Sequence, residues 1–203
     1  MTAVLQPRGR HTWTLVFLHG YCMRARALRA SLRRARPPGW RVVLPQAPRR
    51  PLPDGSRAPS WQDYLSDSGG AREDGVDPGA AAATRARLRA LLRREARRVA
   101  GGLTRVVIGG LSQGGCVALD LCAFVQPAAV VTLVAHRPKL SAARPLKCSW
   151  HALTAEDDDV FPASWAHASL PEAATWERVP GGHFLERGQE ASFLRRTLRN
   201  IAG

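Results

Sequence analysis

Apolar positions along the chain fall into two patterns. Short, nearly continuous apolar runs rich in β-branched residues occupy 12–18, 40–44, 104–108, 128–135 and 146–153, with a more polar run at 175–179. Runs of this length without polar alternation predict strands buried on both faces. Between them lie stretches whose apolar residues are three and four apart. Ala25, Leu28, Leu32 and Ala35 mark one over 24–36. Leu88, Leu91, Leu92, Glu95 and Val99 form a stripe over 80–100, opposite a face that is nearly all arginine. The segment 116–124 is apolar throughout, a short helix fits 163–170, and Phe193, Leu194, Leu198 and Ile201 mark a last one over 191–201. These predict helices.

Strand alternating with helix along the chain predicts the α/β class: a mostly parallel sheet flanked by helices on both faces, in one domain over 1–203. Residues 1–11 read as a short polar leader. Residues 46–79, rich in Pro, Gly, Ser and Asp, read as a long loop or insert. Within it, Ser60-Trp61-Gln62-Asp63-Tyr64-Leu65 is aromatic enough to pack back on the domain. The acidic, glycine-rich part at 66–79 is expected to act as a mobile cover, because loops of this length in compact domains are functional or disordered.

One junction adds chemistry. The strand-like Thr104-Arg105-Val106-Val107-Ile108 runs into Gly109-Gly110-Leu111-Ser112-Gln113-Gly114-Gly115 and then into an apolar helix. Gly110-Leu111-Ser112-Gln113-Gly114 fits the G-x-S-x-G nucleophile elbow in its context of strand, tight turn and helix. A serine needs a base, and His183, after the flexible Pro180-Gly181-Gly182, is the best placed. His19 fits loop shaping better than proton transfer. His151 falls inside a strand, His11 and His167 have no motif around them, and His136, at the end of an apolar run, is a candidate for the wall of the same crevice. An acid should orient His183, and Glu156-Asp157-Asp158-Asp159 offers four candidates in the order Ser, acid, His. Oxyanion donors are expected from the backbone N–H of Gln113 and from the loop after the first long strand, at Tyr21.

Composition narrows the partners. The formal charge is +14, yet only Lys139 and Lys147 are lysines, so the excess is arginine scattered among Ala, Gly and Pro. Scattered arginine without interleaved aromatics argues against nucleic acid and leaves, at most, weak contact with an anionic membrane surface or acidic proteins. Cys22, Cys116, Cys122 and Cys148 have no CxxC spacing, so neither a disulfide framework nor a zinc site is expected. No apolar run reaches membrane-span length and no signal-peptide pattern stands at the N-terminus, so the expected compartment is cytoplasmic.

With those residues in hand, the chain resembles the acyl-protein thioesterase and carboxylesterase family of small α/β-hydrolases, the phospholipase/carboxylesterase group. The resemblance runs from about Leu15 to His183. It rests on Phe17-Leu18-His19-Gly20, Leu44-Pro45-Gln46-Ala47-Pro48, Ser60-Trp61-Gln62-Asp63, the elbow with its paired glycines, Asp158-Asp159-Val160-Phe161-Pro162, and Gly182-His183. It implies cofactor-free, metal-free hydrolysis of esters or thioesters: S-acylated proteins, lysophospholipids or small esters. Aligned on Pro162, it selects Asp158 as the acid, giving a triad of Ser112, Asp158 and His183. It also puts Trp61 near the acyl pocket. His136-Arg137 departs from the family's Ser-Gly or Ser-Arg pair, and the stretch from Pro162 to Trp176 is short. Two other readings remain open: a short-chain carboxylesterase without protein substrates, and a binding protein on a hydrolase scaffold.

Overall fold

The structure, a computed structural model, describes residues 2–52, 55–64, 75–142, 144–146, 148–169 and 174–203. Its centre is a seven-stranded sheet. In chain order the strands are β1 (Ala3–Leu5), β2 (Trp13–Leu18), β3 (Trp40–Leu44), β6 (Val106–Leu111), β7 (Ala129–Leu133), β8 (Ser149–Ala155) and β9 (Thr175–Val179). They lie side by side as β1-β3-β2-β6-β7-β8-β9, all parallel except β1. A separate hairpin pairs β4 (Arg49–Pro51) with β5 (Arg57–Pro59). Helices α1 (Arg29–Ala35), α2 (Pro78–Ala96), α3 (Gln113–Cys122), α4 (Lys139–Ala142), α5 (Ala163–Ser169) and α6 (Gln189–Ala202) complete the fold. This is the predicted α/β architecture.

The unbroken apolar runs became central strands because both sheet faces are covered. All six residues of β2 and all five of β7 are buried. One face packs Leu15, Phe17, Val42 and Val107 against Leu32 of α1 and Phe193, Leu194 and Leu198 of α6. The other packs Val16, Leu18, Ile108 and Val130 against Leu88 and Leu92 of α2 and Val117 and Leu121 of α3. Each such buried side chain contributes about 1.5–3 kcal/mol. Trp13 and Trp40 stack at 5.2 Å at the start of their paired strands, and buried Trp150 donates its indole N–H to Thr132 Oγ1 at 2.7 Å. Glu95 of α2, in the helix's inward stripe, is 2% exposed and accepts from Arg41 of β3 at 2.9 Å, so this carboxylate enters the interior with its partner.

Several boundaries differ from the sequence expectation. Residues 3–5 are not leader but an antiparallel edge strand, with Val4 opposite Val43. Three residues are too few for a periodic signal; pairing to β3 makes the strand. The helix expected from Arg24 opens as a 3₁₀ turn, Ala25–Leu28, because Gln46 Oε1 holds the Ala25 N–H at 2.9 Å from another loop. Helix α2 begins at Pro78, where Asp77 caps Ala80 N at 2.6 Å and Pro fits the first turn. The expected cover at 66–79 falls largely outside the described residues; its described end carries a bridge from Val76 to Tyr64 and then the start of α2. Among the described residues, no helix is long and apolar enough to cross a membrane.

Candidate active site

Adjacent parallel strands end at one edge of the sheet, and the loops beyond those ends hold every chemical residue of interest, as open α/β sheets dictate. Strand β6 delivers Ser112 directly. The serine has φ 52° and ψ −125°, a conformation that L-residues avoid and that the turn imposes. Its neighbours explain why the turn can close. A Cβ on Gly110 would lie 2.3 Å from the Gly114 carbonyl carbon, and one on Gly114 would lie 2.4 Å from the Leu18 carbonyl oxygen. Both contacts are to backbone, so any side chain there would push the elbow apart. Serine at a helix N-cap ordinarily caps its own helix. Here it makes no side-chain cap; its Oγ lies 2.8 Å from His183 Nε2 instead.

Beyond β9, Pro180-Gly181-Gly182 turns the chain so that His183 faces β6. Beyond β8, Asp158 is 5% exposed and meets His183 Nδ1 at 3.0 Å through Oδ1 and 2.9 Å through Oδ2. Asp158 Oδ1 also accepts the N–H groups of Val160 at 3.0 Å and Phe161 at 2.7 Å. These bonds orient the Asp158 carboxyl group, and an acceptor at Nδ1 puts the imidazole proton there. Nε2 is left as the lone-pair side facing the serine. Asp157 and Asp159 are exposed and Glu156 points to solvent, so of the four acids only Asp158 meets the imidazole. Phe161 packs its ring against His183 at 5.2 Å, edge to face.

The expected oxyanion donors flank this arrangement. Gln113 is the first residue of α3, and N–H groups in a first helical turn have no acceptor within the helix. Tyr21 lines the same cavity as Ser112, and its neighbour Gly20 is so close that a Cβ there would sit 3.5 Å from Ser112 Cβ.

The loop bearing Gly20 and Tyr21 is locked from below. His19 is fully buried; Nδ1–H donates to Gly20 O at 2.8 Å, and Nε2 accepts from Ala47 N at 3.0 Å and Gln46 Nε2 at 2.9 Å. Burial pushes its pKa below the ordinary histidine value, so it stays neutral in this role. Trp61 donates its indole N–H to His19 O at 2.8 Å, and Gln113 Oε1 accepts from Trp61 N at 3.0 Å while Gln113 Nε2 donates to Ser60 Oγ at 2.9 Å.

Two expectations about the pocket end elsewhere. Trp61, expected beside the acyl chain, has no exposure and belongs to the core with Val16, Leu18, Val43 and Leu88. Its indole N–H needs a partner inside, and His19 O supplies it. His136, expected to wall the crevice at Ser112, lies on the far side of Phe161, its ring 4.7 Å from Phe161 and 5.5 Å from Trp165. It lines a second cavity of about 220 Å³ with Tyr64, Cys116 and Phe161, one that neither Ser112 nor His183 borders. There the Cys116 thiol is pushed up to about 12 by burial, which makes it inert.

The cavity that Ser112 and His183 do border holds about 520 Å³. Its walls are mostly apolar: Met23, Leu28, Leu111, Leu133, Val160 and Leu185, with Phe184 on the rim. The 3₁₀ turn, α1 and the loop after His183 build it. The sequence pattern did not reveal it, since helical spacing marks Leu28 as core and nothing local marks 184–190 as a wall. The Gln113 side chain was missed as well; a glutamine beside the serine signals no lock until Ser60 and Trp61 are brought against it.

An arrangement of serine, imidazole and buried carboxylate in hydrogen-bond sequence, beside an apolar cavity and helix-terminal N–H groups, can carry acyl transfer. The comparisons agree with that architecture. The chain matches the Phospholipase/Carboxylesterase family over residues 1–158. No curated protein matches it. Among solved structures, it is similar to acyl-protein thioesterase 2 of Zea mays, at 18% identity with 99% of each chain covered and a TM-score of 0.80. It is also similar to the Bacillus cereus carboxylesterase, at 15% identity over 99% of this chain and 92% of that one, TM-score 0.76. A carboxylesterase from Mesorhizobium loti follows at 17% identity, 94% and 90% coverage, TM-score 0.74. At these identities the structural likeness speaks for the fold alone, but the family match spans most of the sequence: the chain belongs to the phospholipase/carboxylesterase family of α/β-hydrolases.

Proposed function

We propose that this protein is a serine hydrolase that cleaves carboxylic esters and thioesters through an acyl-enzyme. The observation that carries the reading is the relay from Ser112 Oγ to His183 Nε2 at 2.8 Å and from His183 Nδ1 to Asp158 Oδ2 at 2.9 Å. Ser112 Oγ attacks the acyl carbon while His183 Nε2 takes its proton. Asp158 holds the tautomer and stabilises the imidazolium. The backbone N–H groups of Gln113 and Tyr21 receive the oxyanion. His183 then protonates the leaving alcohol or thiol, and water, activated by the same imidazole, releases the acid and regenerates Ser112.

The cavity of about 520 Å³ with apolar walls favours acyl chains longer than acetyl. The name of the maize relative sets S-acylated proteins beside lipid and small esters as substrates to try. The test is fluorophosphonate labelling together with hydrolysis of p-nitrophenyl esters and an S-palmitoyl peptide. Wild type should label and turn over. Ser112→Ala should not label and should lose about 10⁶-fold in kcat. An unlabelled, folded wild type would make it a binding protein on a hydrolase scaffold. A rate falling steadily from acetate upward would make it a short-chain carboxylesterase.

A further inference from the structure

The cavity that contains Ser112 and His183 contains a second polar pair that the acyl-transfer chemistry does not use. Ser31, in the middle of α1, donates its hydroxyl to Glu190 Oε1 at 2.7 Å, at the start of α6. Both residues line the cavity, and so does Arg187, exposed one turn before Glu190. Among the described residues Glu190 has no ion-pair partner, its Oε2 accepts no hydrogen bond, and Arg187 has neither an ion pair nor a side-chain hydrogen bond. Other carboxylates that are not left to solvent are matched: Glu95 with Arg41, Asp120 with Arg85, Asp158 with His183. In an arginine-rich protein, a carboxylate bonded only to a serine and lining a cavity that borders the nucleophile stands out chemically.

We propose that Glu190, Ser31 and Arg187 form a subsite for a neutral hydroxyl group carried on the aliphatic chain of the substrate. The proposal rests on the acyl-transfer reading and names its substrate class. Its logic is charge and hydrogen-bond balance. Glu190 lines the cavity with Oε2 still able to accept a hydrogen bond, while Ser31 holds Oε1. Arg187 can donate. The cavity lining carries one carboxylate and one guanidinium, so a full cation and a full anion each meet a charge of their own sign there. A hydroxyl satisfies both, donating to Glu190 and accepting from Arg187. The chain between hydroxyl and scissile bond lies along Leu28, Leu133, Val160 and Leu185. A plain alkyl chain fills the same walls but leaves both charged groups facing methyl, and sites built to hydrogen-bond a substrate hydroxyl reject the analogue that lacks it.

The experiment measures kcat/KM on two ester series at fixed pH. One is p-nitrophenyl esters from butanoate to decanoate, each plain, ω-hydroxy, ω-amino and ω-carboxy. The other is acetate monoesters of linear diols against n-alkyl acetates, which puts the hydroxyl on the alcohol side instead. In one series, at one chain length, the hydroxy ester should exceed the plain ester by about tenfold or more. Glu190→Ala should bring that ratio within about twofold of unity, mostly through KM. Glu190→Gln, which keeps an accepting oxygen and the shape, should retain part of it. Ser31→Ala should lower it by releasing the carboxylate. A preference for the ω-amino or ω-carboxy ester overturns the neutral subsite. So does a melting temperature that falls in Glu190→Ala or Ser31→Ala while the hydroxy-to-plain ratio stays put; the pair would then be only a clamp between α1 and α6. Turnover of p-nitrophenyl acetate by wild type separates the two readings. With turnover and no hydroxyl preference in either series, the subsite fails alone; without turnover or fluorophosphonate labelling, the hydrolase reading fails first.

Discussion

Beneath Ser112, the loops are tied by side chains that have no solvent exposure. His19, Trp61, Gln113 and Ser60 bond one another and the backbone, and almost every polar atom there is matched. Across the cavity, the stretch after His183 makes few bonds; Phe184 is 92% exposed and Arg187 is open to solvent. Both regions border the same serine, and they are built for different ends. The lower wall ties its loops through buried hydrogen bonds, which positions a nucleophile and its oxyanion donors. The upper wall presents surface, and surface decides which chains enter. Residues of the lower wall and of the triad should therefore cost rate or stability when changed, and residues of the upper wall should change preference.

The sharpest difference concerns the acid. Asp158→Asn should lower kcat/KM on a p-nitrophenyl ester by about 10⁴-fold, because an amide at this position favours the wrong imidazole tautomer. Asp157→Asn and Asp159→Asn, both on exposed carboxylates, should stay within a few-fold of wild type. Equal losses across the three would mean that the buried carboxylate is not what orients His183.

Next comes stability. Trp61→Ala removes a fully buried indole and leaves the His19 carbonyl without its donor. Urea unfolding should show a loss of about 3–5 kcal/mol. Trp61→Phe should cost less while still losing the hydrogen bond. If Trp61→Ala instead changed chain-length preference at unchanged stability, Trp61 would belong to the pocket after all and the division between the walls would collapse.

How far the sequence revealed these walls follows from range. Continuous apolar runs and glycines around a serine are local signals, and they point to the sheet, the elbow and an order of Ser112, an acid among 156–159, and His183 along the chain. The choice of Asp158 over its neighbours needed a family likeness, since consecutive acids differ only in burial, and burial is set by Val160 and Phe161 turning back over the carboxylate. Trp61 and His136 were misplaced for one reason: aromatic residues near a site suit a pocket wall and a core equally well, and only long-range contacts with His19 or Phe161 decide. Edge strand β1 and the cavity wall at 184–190 carry no periodicity at all. The start of α2 was different; Asp77-Pro78 is a legible cap that the apolar stripe, beginning later, obscured.

The buried histidine supplies a pH test. The folded pKa of His19 lies below the unfolded value because burial disfavours its charged form. The unfolded chain then binds more protons than the folded one on the acid side, so stability rises with pH there. The contribution is complete above the unfolded histidine pKa, about 6.5, and is lost as pH falls below it toward the folded value. His151, also shifted down by burial, adds a contribution of the same sign. The urea midpoint of wild type should therefore drop between pH 7 and pH 5. His19→Asn should be less stable at neutral pH but show a shallower drop. An unchanged slope would mean that His19 does not hold the loop as a neutral acceptor.

The smallest effect should come from the upper wall. A side chain that is 92% exposed has almost no area removed from water on folding, so Phe184→Ser has little hydrophobic stabilisation to lose, and unfolding should shift by no more than about 0.5 kcal/mol. The ring nevertheless borders the cavity beside His183, 5.9 Å from the imidazole. Once a chain lies in the cavity, that exposed face acquires a partner and the ring gains area only in the complex. The change should therefore appear as a rise of a few-fold in KM for the longer p-nitrophenyl esters, with kcat nearly constant and the acetate ester barely affected, the signature of binding shared by ground and transition states. A fall in kcat on every ester, acetate included, would show that Phe184 holds His183 against Ser112 and that the upper wall too is part of the positioning machinery.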